Sequence, residues 1–265
     1  DLAQRVIRVL HPLSFQDDPT RLFRAVRYEQ RLGGQIAPAT LALMEAAGAA
    51  LEALSADRLR HELELIFRER RAAAMLARLD ELGVLRRAHP ALAWGAAESA
   101  AAEVWPALPW PAWRLDPPPA PDAAWLSLLL RRAEAPARQA ALRRINPSGM
   151  VATAVQQALD LAGGWPRPSQ AVAVLDRGSE LSWVAAYVAR PDLRPALAAY
   201  LSQWRFVRSA LTGHDLIQRG LPPGPDFKVW LGRLRAARLD GQVSDAAGEE
   251  ALLAEWLAAS RPGQA

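Results

Sequence analysis

The chain has 265 residues, 51% of them hydrophobic and 23% charged, with no cysteine and a formal net charge of +4. That is enough chain for a substantial core and for two or three small domains. Disulfides, thiolate metal sites and thiol nucleophiles are excluded, and no apolar run reaches the ~20 residues that span a bilayer. The expectation is therefore a cytoplasmic protein with no membrane partner. The isoelectric point is about 10.2, because the cations are nearly all arginine; Lys228 is the only lysine. A planar guanidinium suits phosphate and base-edge recognition, so nucleic-acid binding is permitted by this surplus without being required by it. The first residue is Asp1 and no leader pattern follows it. That start reads as renumbering, processing, or the loss of something upstream.

Residues 5–10, RVIRVL, alternate and are β-branched, which predicts a short strand. A lone strand is unstable, so it is expected to be the last strand of a sheet formed upstream. A helix is predicted from about Asp18, with Pro19 at its first position, to about Leu32, stopped by Gly33-Gly34. Its apolar face is read as Leu22, Ala25, Val26 and Leu32. A second helix runs from Pro38 to about Leu54, and a third, capped by Ser55, to about Arg70. Residues 106–121 hold seven prolines and admit no helix. Helical patterns resume at 122–133, 135–145, 148–162, 169–176, 179–189 and 191–211. Residues 213–225 are rich in glycine and proline and read as a loop, before two last helices at about 225–239 and 245–259. The fold class is all-α.

The stretch SFQDDPTRLFRAVRYEQRL, residues 14–32, carries the most chemistry. Asp17 and Asp18 sit where acids satisfy free N–H groups and the positive end of a helix. Asp18 and Arg21 are three apart, as are Arg21 and Arg24, and Arg24 and Tyr28 are four apart, so all approach one face.

IRVLHPLSFQDDPTRLFRAVRYEQRLG resembles the base-recognition motif and neck helix of the class II tRNA nucleotidyltransferase and poly(A) polymerase family. That motif is an acid, an Asp, two residues, an Arg and a further Arg three on, which fall here on Asp17, Asp18, Arg21 and Arg24. Many members have Glu where this chain has Asp17. SADRLRHELELIF, residues 55–67, resembles the next motif and puts its Arg and Glu on Arg58 and Glu62. LTGHDLIQRGLPPGPDFKVWLGRLRAARLDGQV resembles the tail motif of one branch of the family. Residues of about 95–200 match only in helical character.

The resemblance implies a division into 1–15, a remnant of a nucleotidyltransferase head; 16–95, the neck that recognises the base; 96–200, a helical body; and 201–265, a tail that binds tRNA. It implies an elongated helical array. Asp18 and Arg21 would contact the incoming base, with Asp17 holding Arg21. Cytosine and adenine present an amino donor beside a ring-nitrogen acceptor, and uracil and guanine the reverse. A fixed carboxylate beside a fixed guanidinium would accept from the amino group and donate to the ring nitrogen, rejecting U and G by unpaired polar groups. Arg58 and Glu62, four apart on one helix, would form a structural pair steadying the neck.

The family's chemistry needs two carboxylates one residue apart on a strand, holding Mg²⁺. No such pair is found; Glu62-Leu63-Glu64 is helical, where alternate residues diverge. His11, His61, His89 and His214 lack metal-ligand spacing and read as structural. The expectation is a parent enzyme that uses CTP and ATP with Mg²⁺ bound by a head this chain lacks. The chain alone would then be inactive, with the head either upstream in the same gene or a separate chain. The tRNA partner would be held at its acceptor stem and elbow. Lys228, Arg235 and Arg238 make one basic stripe on the tail helix, with Arg233 off it, and the GLPPGP turn before it offers N–H groups to phosphate. Arg131, Arg132, Arg138, Arg143 and Arg144 form a second candidate patch, of which Arg143 and Arg144 are the RNA-contact candidates. The ten tryptophans read as packing residues rather than stacking platforms. A non-catalytic helical RNA-binding module and a poly(A)-adding relative remain open, as does addition of CCA, CC or A.

Overall fold

The structure is a computed structural model that describes residues 3–260. The chain divides into two compact units. The first takes in residues up to Trp110, Leu115–Leu161 and Ser179–Arg194; the second takes in Pro111–Arg114, Ala162–Gly178 and the residues from Pro195 onward.

The first unit opens with strand β1, Val6–Ile7, helix α1, Ser14–Asp17, helix α2, Thr20–Leu32, and strand β2, Gln35–Ile36. The sequence reading has a strand at 5–10 whose partners lie upstream. The structure gives a shorter strand that pairs within the described chain, parallel to β2, with Val6 opposite Gln35 and Ile7 opposite Ile36. Helix α2 is the crossover between them. Gly33 ends α2 at φ 60°, the left-handed conformation that glycine adopts without strain. Gly34 then runs so close to β1 that a Cβ there would lie 2.2 Å from the Arg5 carbonyl oxygen. Glycine at both positions is what lets the helix turn straight back onto the strand. On α2, Leu22, Phe23 and Val26 are fully buried, whereas Leu32 is 44% exposed. Phe23 takes the core position that the sequence reading assigns to Leu32.

Helix α3, Pro38–Ala46, is shorter than predicted and gives way to a 3₁₀ turn at Gly48–Leu51. Helix α4, Ala56–Phe67, starts where Ser55 Oγ accepts from the Arg58 N–H. Helices α5, Ala72–Glu81, α6, Val84–Ala88, and α7, Ala96–Ala102, follow. The proline-rich segment carries only a 3₁₀ turn at Trp105–Ala107. Helix α8, Asp122–Leu130, is buried along its whole length, which is why its sequence shows no polar face. Helices α9, Ala135–Ile145, α10, Gly149–Asp160, and α12, Glu180–Ala189, complete the unit, with α10 and α12 packed on α8.

The second unit contains α11, Pro168–Leu175, most of α13, Arg194–Ser202, and α14 to α16, at Gly213–Gln218, Asp226–Leu239 and Ala246–Ser260. The predicted helix 191–211 is broken into 3₁₀, α and 3₁₀ pieces, and α14 occupies part of the expected loop. Leu211, Leu216, Leu234 and Leu253 form the buried centre of the last three helices, with Phe227, Trp230 and Trp256 around it.

Candidate functional site

The motif residues gather at the junction of α1 and α2. Asp18 is extended, at φ −146° and ψ 96°, and breaks the helix between them. Its Oδ1 accepts from the Thr20 N–H at 3.1 Å and the Thr20 hydroxyl at 2.7 Å, so Asp18 caps α2 with Pro19 next in line, as the sequence reading has it. The same oxygen accepts from Arg58 Nη2 at 2.5 Å. Among the described residues its other oxygen, Oδ2, accepts no hydrogen bond and lies 4.0 Å from Arg21 Nε. Burial raises the Asp18 pKa, but the Thr20 hydrogen bonds and the Arg58 guanidinium outweigh it and hold the carboxyl below its ordinary range. Asp18 is thus a fixed, ionised acceptor with one oxygen spent on the protein and one to spare.

Arg21 is fixed from the other side. Its Nη1 donates to the Ser14 carbonyl at 3.1 Å, which leaves Nη2 and Nε for another acceptor. Arg24 lies one turn further on, exposed, hydrogen-bonded to the Tyr28 hydroxyl. That bond raises the Arg24 pKa and lowers that of Tyr28. Arg21, Arg24 and Tyr28 line a cleft of about 430 Å³ whose opposite wall is the chain from Ile7 to His11. Asp18 is not part of that wall; it reaches the cleft only through Arg21.

Two expectations about this site are corrected. Asp17 does not hold Arg21: its carboxylate lies 3.6 Å from His11 Nε2, because the helix break at Asp18 sends the adjacent side chains apart. Arg58 and Glu62 are not paired with each other. Arg58 turns to Asp18, and Glu62 is buried against Arg27 at 3.3 Å. Arg58 ties α4 to the junction of α1 and α2, and Glu62 ties it to α2. Burial raises the Glu62 pKa and the Arg27 charge opposes it.

A metal does not fit these residues. Asp17 and Asp18 diverge, and among the described residues no group of three or more His, Asp or Glu side chains could hold an ion.

The basic stripes also change on inspection. In the second unit Arg235 is committed inward, with Nη1 2.6 Å from Asp176 and Nε bonded to the Val207 carbonyl. Arg238 bonds the buried Glu249 at 2.8 Å and the Ser244 carbonyl at 2.9 Å. Lys228 remains exposed. Arg233, set off the stripe by its spacing, is exposed and stacked over Trp256 at 4.1 Å and Trp230 at 5.0 Å. In the first unit Arg131 and Arg132 pair with Glu98, Arg138 with Asp160, and Arg144 donates to the Leu51 and Leu54 carbonyls. Of those five arginines only Arg143 is exposed with no internal partner among the described residues.

Sequence reasoning missed the buried acids Glu29, Glu98 and Glu249, among others. Glu29 Oε1 accepts from the Ile36 N–H at 3.2 Å and Oε2 from Arg78 at 3.0 Å, anchoring β2 to α2 and α5. Glu98 holds two arginines, and both oxygens of Glu249 accept from the Ala210 N–H. Each lies on an apolar helix face, and that position is the signal that marks it.

Residues 34–94 match the family model described as the probable RNA- and SrmB-binding site of polymerase A. Over 92% of its length the chain is 31% identical to an A-adding tRNA nucleotidyltransferase of Geobacter sulfurreducens, and it spans 30% of that relative. A multifunctional CCA protein of Nitrosococcus oceani is 39% identical over 34% of the chain, which is 22% of that protein. Among solved structures, a Thermotoga maritima CCA-adding enzyme complexed with tRNA superimposes on 98% of the chain at TM-score 0.78 and 24% identity. A CCA-adding enzyme complexed with ATP superimposes at TM-score 0.79 and 24% identity. The chain covers 65% and 64% of those two structures, respectively. Both share its helical architecture, with a two-strand parallel pair as the sheet among the residues described here. The motif order, the matched segment and the fold converge on one class: the chain is similar to the class II tRNA nucleotidyltransferases. It corresponds to their C-terminal, helical region, and it spans less than a third of the curated relatives it matches.

Proposed function

We propose that this chain supplies base selection and tRNA grip to an enzyme that adds C and/or A to tRNA 3′ ends from CTP and ATP. The carrying observation is the half-used pair at the start of α2, an ionised Asp18 with Oδ2 open and an Arg21 guanidinium 4.0 Å away with donors open. Asp18 Oδ2 would accept from the amino group of C or A, and Arg21 would donate to the adjacent ring nitrogen. Thr20, Arg58 and the Ser14 carbonyl hold the pair in place before the base arrives, so little reorganisation is needed on binding. The bond-making step is assigned to the part of the relatives that this chain does not span, and Mg²⁺ with it. In this reading 16–95 is the neck, 96–200 the body and 201–265 the tail, with the remnant 1–15 joining them to the catalytic head. Offering the four nucleoside triphosphates together to the enzyme that contains this chain tests the reading. Asp18→Ala should erase the preference for C and A; an unchanged product ratio would defeat it.

The acceptor stem and elbow of tRNA are the proposed RNA partners. Lys228, Arg143 and Arg233 are the proposed contacts, because their charge is not spent inside the fold. Binding of tRNA by the 265-residue chain should weaken steeply with salt, and Lys228→Ala or Arg233→Ala should each reduce the logarithmic salt slope by about one. Arg235→Ala should leave the slope unaltered and lower the melting temperature instead. A flat titration, or equal affinity for unstructured RNA, would refute this assignment.

A further inference from the structure

A second cleft, of about 650 Å³, opens in the first unit; of the motif residues only Phe67, the last of residues 55–67, lines it. That volume falls within the roughly 300–1,000 Å³ of small-molecule sites. Its walls include Phe67, Trp105 and Trp125, with Arg68 and Arg70 beside Phe67 in the chain. The aromatic rings form a connected system. Phe67 and Trp125 stack at 6.4 Å and 9°, and Trp105 tilts against Trp125 at 6.0 Å and 53°. Trp105 is held edge-on by Trp110 at 5.7 Å, yet it is only half-buried and lines the cleft. These tryptophans pack, as the sequence suggests, and one of them also presents a surface.

Two donors in this wall lack acceptors. The Trp125 side chain is 4% exposed, and its indole N–H is buried with no hydrogen-bond partner. A buried unsatisfied donor calls for a missing acceptor. Arg70 is exposed and has no ion pair or hydrogen bond among the described residues. The Glu69 carboxylate, also in the lining, is already paired with Arg27 and Arg31. Arg68 is shared at 3.8 Å and 3.9 Å between Glu64 and Asp122. Ser99 accepts from the Trp94 indole at 2.9 Å, which leaves its hydroxyl proton to give. The exposed Glu103 carboxylate also lines the cleft, so an added negative charge is met at Arg70; the site asks for a flat ring rich in acceptors, joined to a negative charge there.

A nucleotide has that chemistry. A proline-rich peptide would offer rings and carbonyls but no anion for Arg70. We propose that this cleft binds one unpaired nucleotide of an RNA strand, its base against Trp105 and its phosphate at Arg70. Stacking on an aromatic side chain is sequence-tolerant and brings the strand to a defined place on the surface. The inference rests on the RNA-binding reading above but on residues separate from the base-selecting pair and from the tail.

The test uses the 265-residue chain and a short single-stranded RNA carrying one 4-thiouridine. Illumination should join the RNA to the peptide that contains Trp105. Trp105→Ala, Arg70→Glu and the cleft-filling Ala73→Leu should each weaken binding of that RNA by about tenfold, the loss of roughly one base–aromatic stack, while tRNA binding keeps its dependence on Lys228 and Arg233. Arg70→Glu alters an exposed side chain and keeps the test decisive if Trp105→Ala unfolds. RNA bound with the adduct elsewhere and affinity indifferent to all three changes would overturn the cleft and leave the tail reading standing. No RNA bound at all would overturn both. UMP competing as well as the strand, or a proline-rich peptide binding through Trp105 where RNA does not, would also overturn it.

Discussion

Arg21→Ala, introduced into the enzyme that contains this chain, should abolish most of the preference for CTP and ATP over UTP and GTP. The expected loss of discrimination is about 10–100-fold, because a hydrogen bond to a charged group is worth roughly 1.5–3 kcal/mol and the Arg21 side chain is 40% exposed. Asp18→Ala should do at least as much, since it also removes the cap of α2 and releases Arg58. Asp18→Asn separates the two effects. The amide oxygen keeps the Thr20 bonds while the amide nitrogen replaces the open Oδ2 acceptor, so the helix should survive and the choice of C and A should not. Nor should U or G be gained, because Arg21 would still meet a ring N–H in either. Asp17→Ala is the discriminating control. Its carboxylate lies against His11 rather than Arg21, so nucleotide choice should be unchanged. If Asp17→Ala abolishes selection and Arg21→Ala does not, the arrangement is misread. The measurement is the ratio of C and A to U and G incorporated from an equimolar mixture, with melting temperatures recorded for each variant. Asp18 is held below its ordinary pKa, so it stays ionised, and selection should persist, well into the acid range.

The motif itself was legible because its elements are local. A cap, a proline and arginines three apart all depend on one turn of helix, and the structure returns them with Asp18 capping α2. The expected pairings of Asp17 with Arg21 and of Arg58 with Glu62 failed for one reason. Spacing tells which residues share a face, but a helix break or a packed neighbour decides whom they touch. The tail shows the same limit. Lys228, Arg235 and Arg238 do lie along one stripe, but that stripe turns partly inward to Asp176 and Glu249. The glycine- and proline-rich segment concealed α14, although Thr212 and Asp215 form a capping box at its start, three apart as such boxes require. Buried acids carry a sign that is readable in the sequence. Glu29 falls in step with Leu22 and Val26, Glu62 with Leu59 and Ile66, and Glu249 with Leu253. An acid in the apolar stripe of a helix is either paired inside the fold or misfolded, and in all three cases an arginine supplies the pair.

Glu249→Ala should then be the most destabilising single change in the second unit. The Glu249 side chain is fully buried. Its oxygens accept from the Ala210 N–H at 2.8 Å and 3.0 Å, from the Leu211 N–H at 3.0 Å and from Arg238 at 2.8 Å. Alanine would leave the buried Leu211 N–H, the Ala210 N–H and a guanidinium without this acceptor beside Leu211, Leu234 and Leu253. Removing one partner of a buried ion pair costs about 3–5 kcal/mol, enough to release α15 and α16 from the turn at Ala210. Glu249→Gln keeps an acceptor oxygen but sets an amide N–H against Arg238 or Ala210, and should cost less. The charge also makes this unit sensitive to acid. Burial alone would raise the Glu249 pKa, but the backbone N–H groups and Arg238 outweigh it and lower it from 4.5. A carboxyl whose folded pKa is depressed contributes stability that is fully present above its unfolded value and is lost as pH falls through the folded one. The opening free energy of α15 and α16, read from hydrogen exchange after correction for the intrinsic exchange rate, should therefore be flat from neutral pH down to about 5 and fall below about 4.5. In Glu249→Gln that acid-dependent component should be absent while exchange is faster at every pH. If the glutamine variant kept the full acid-dependent loss, another carboxylate would have to carry it, and Glu249 would be a packing residue whose charge the tail does not need.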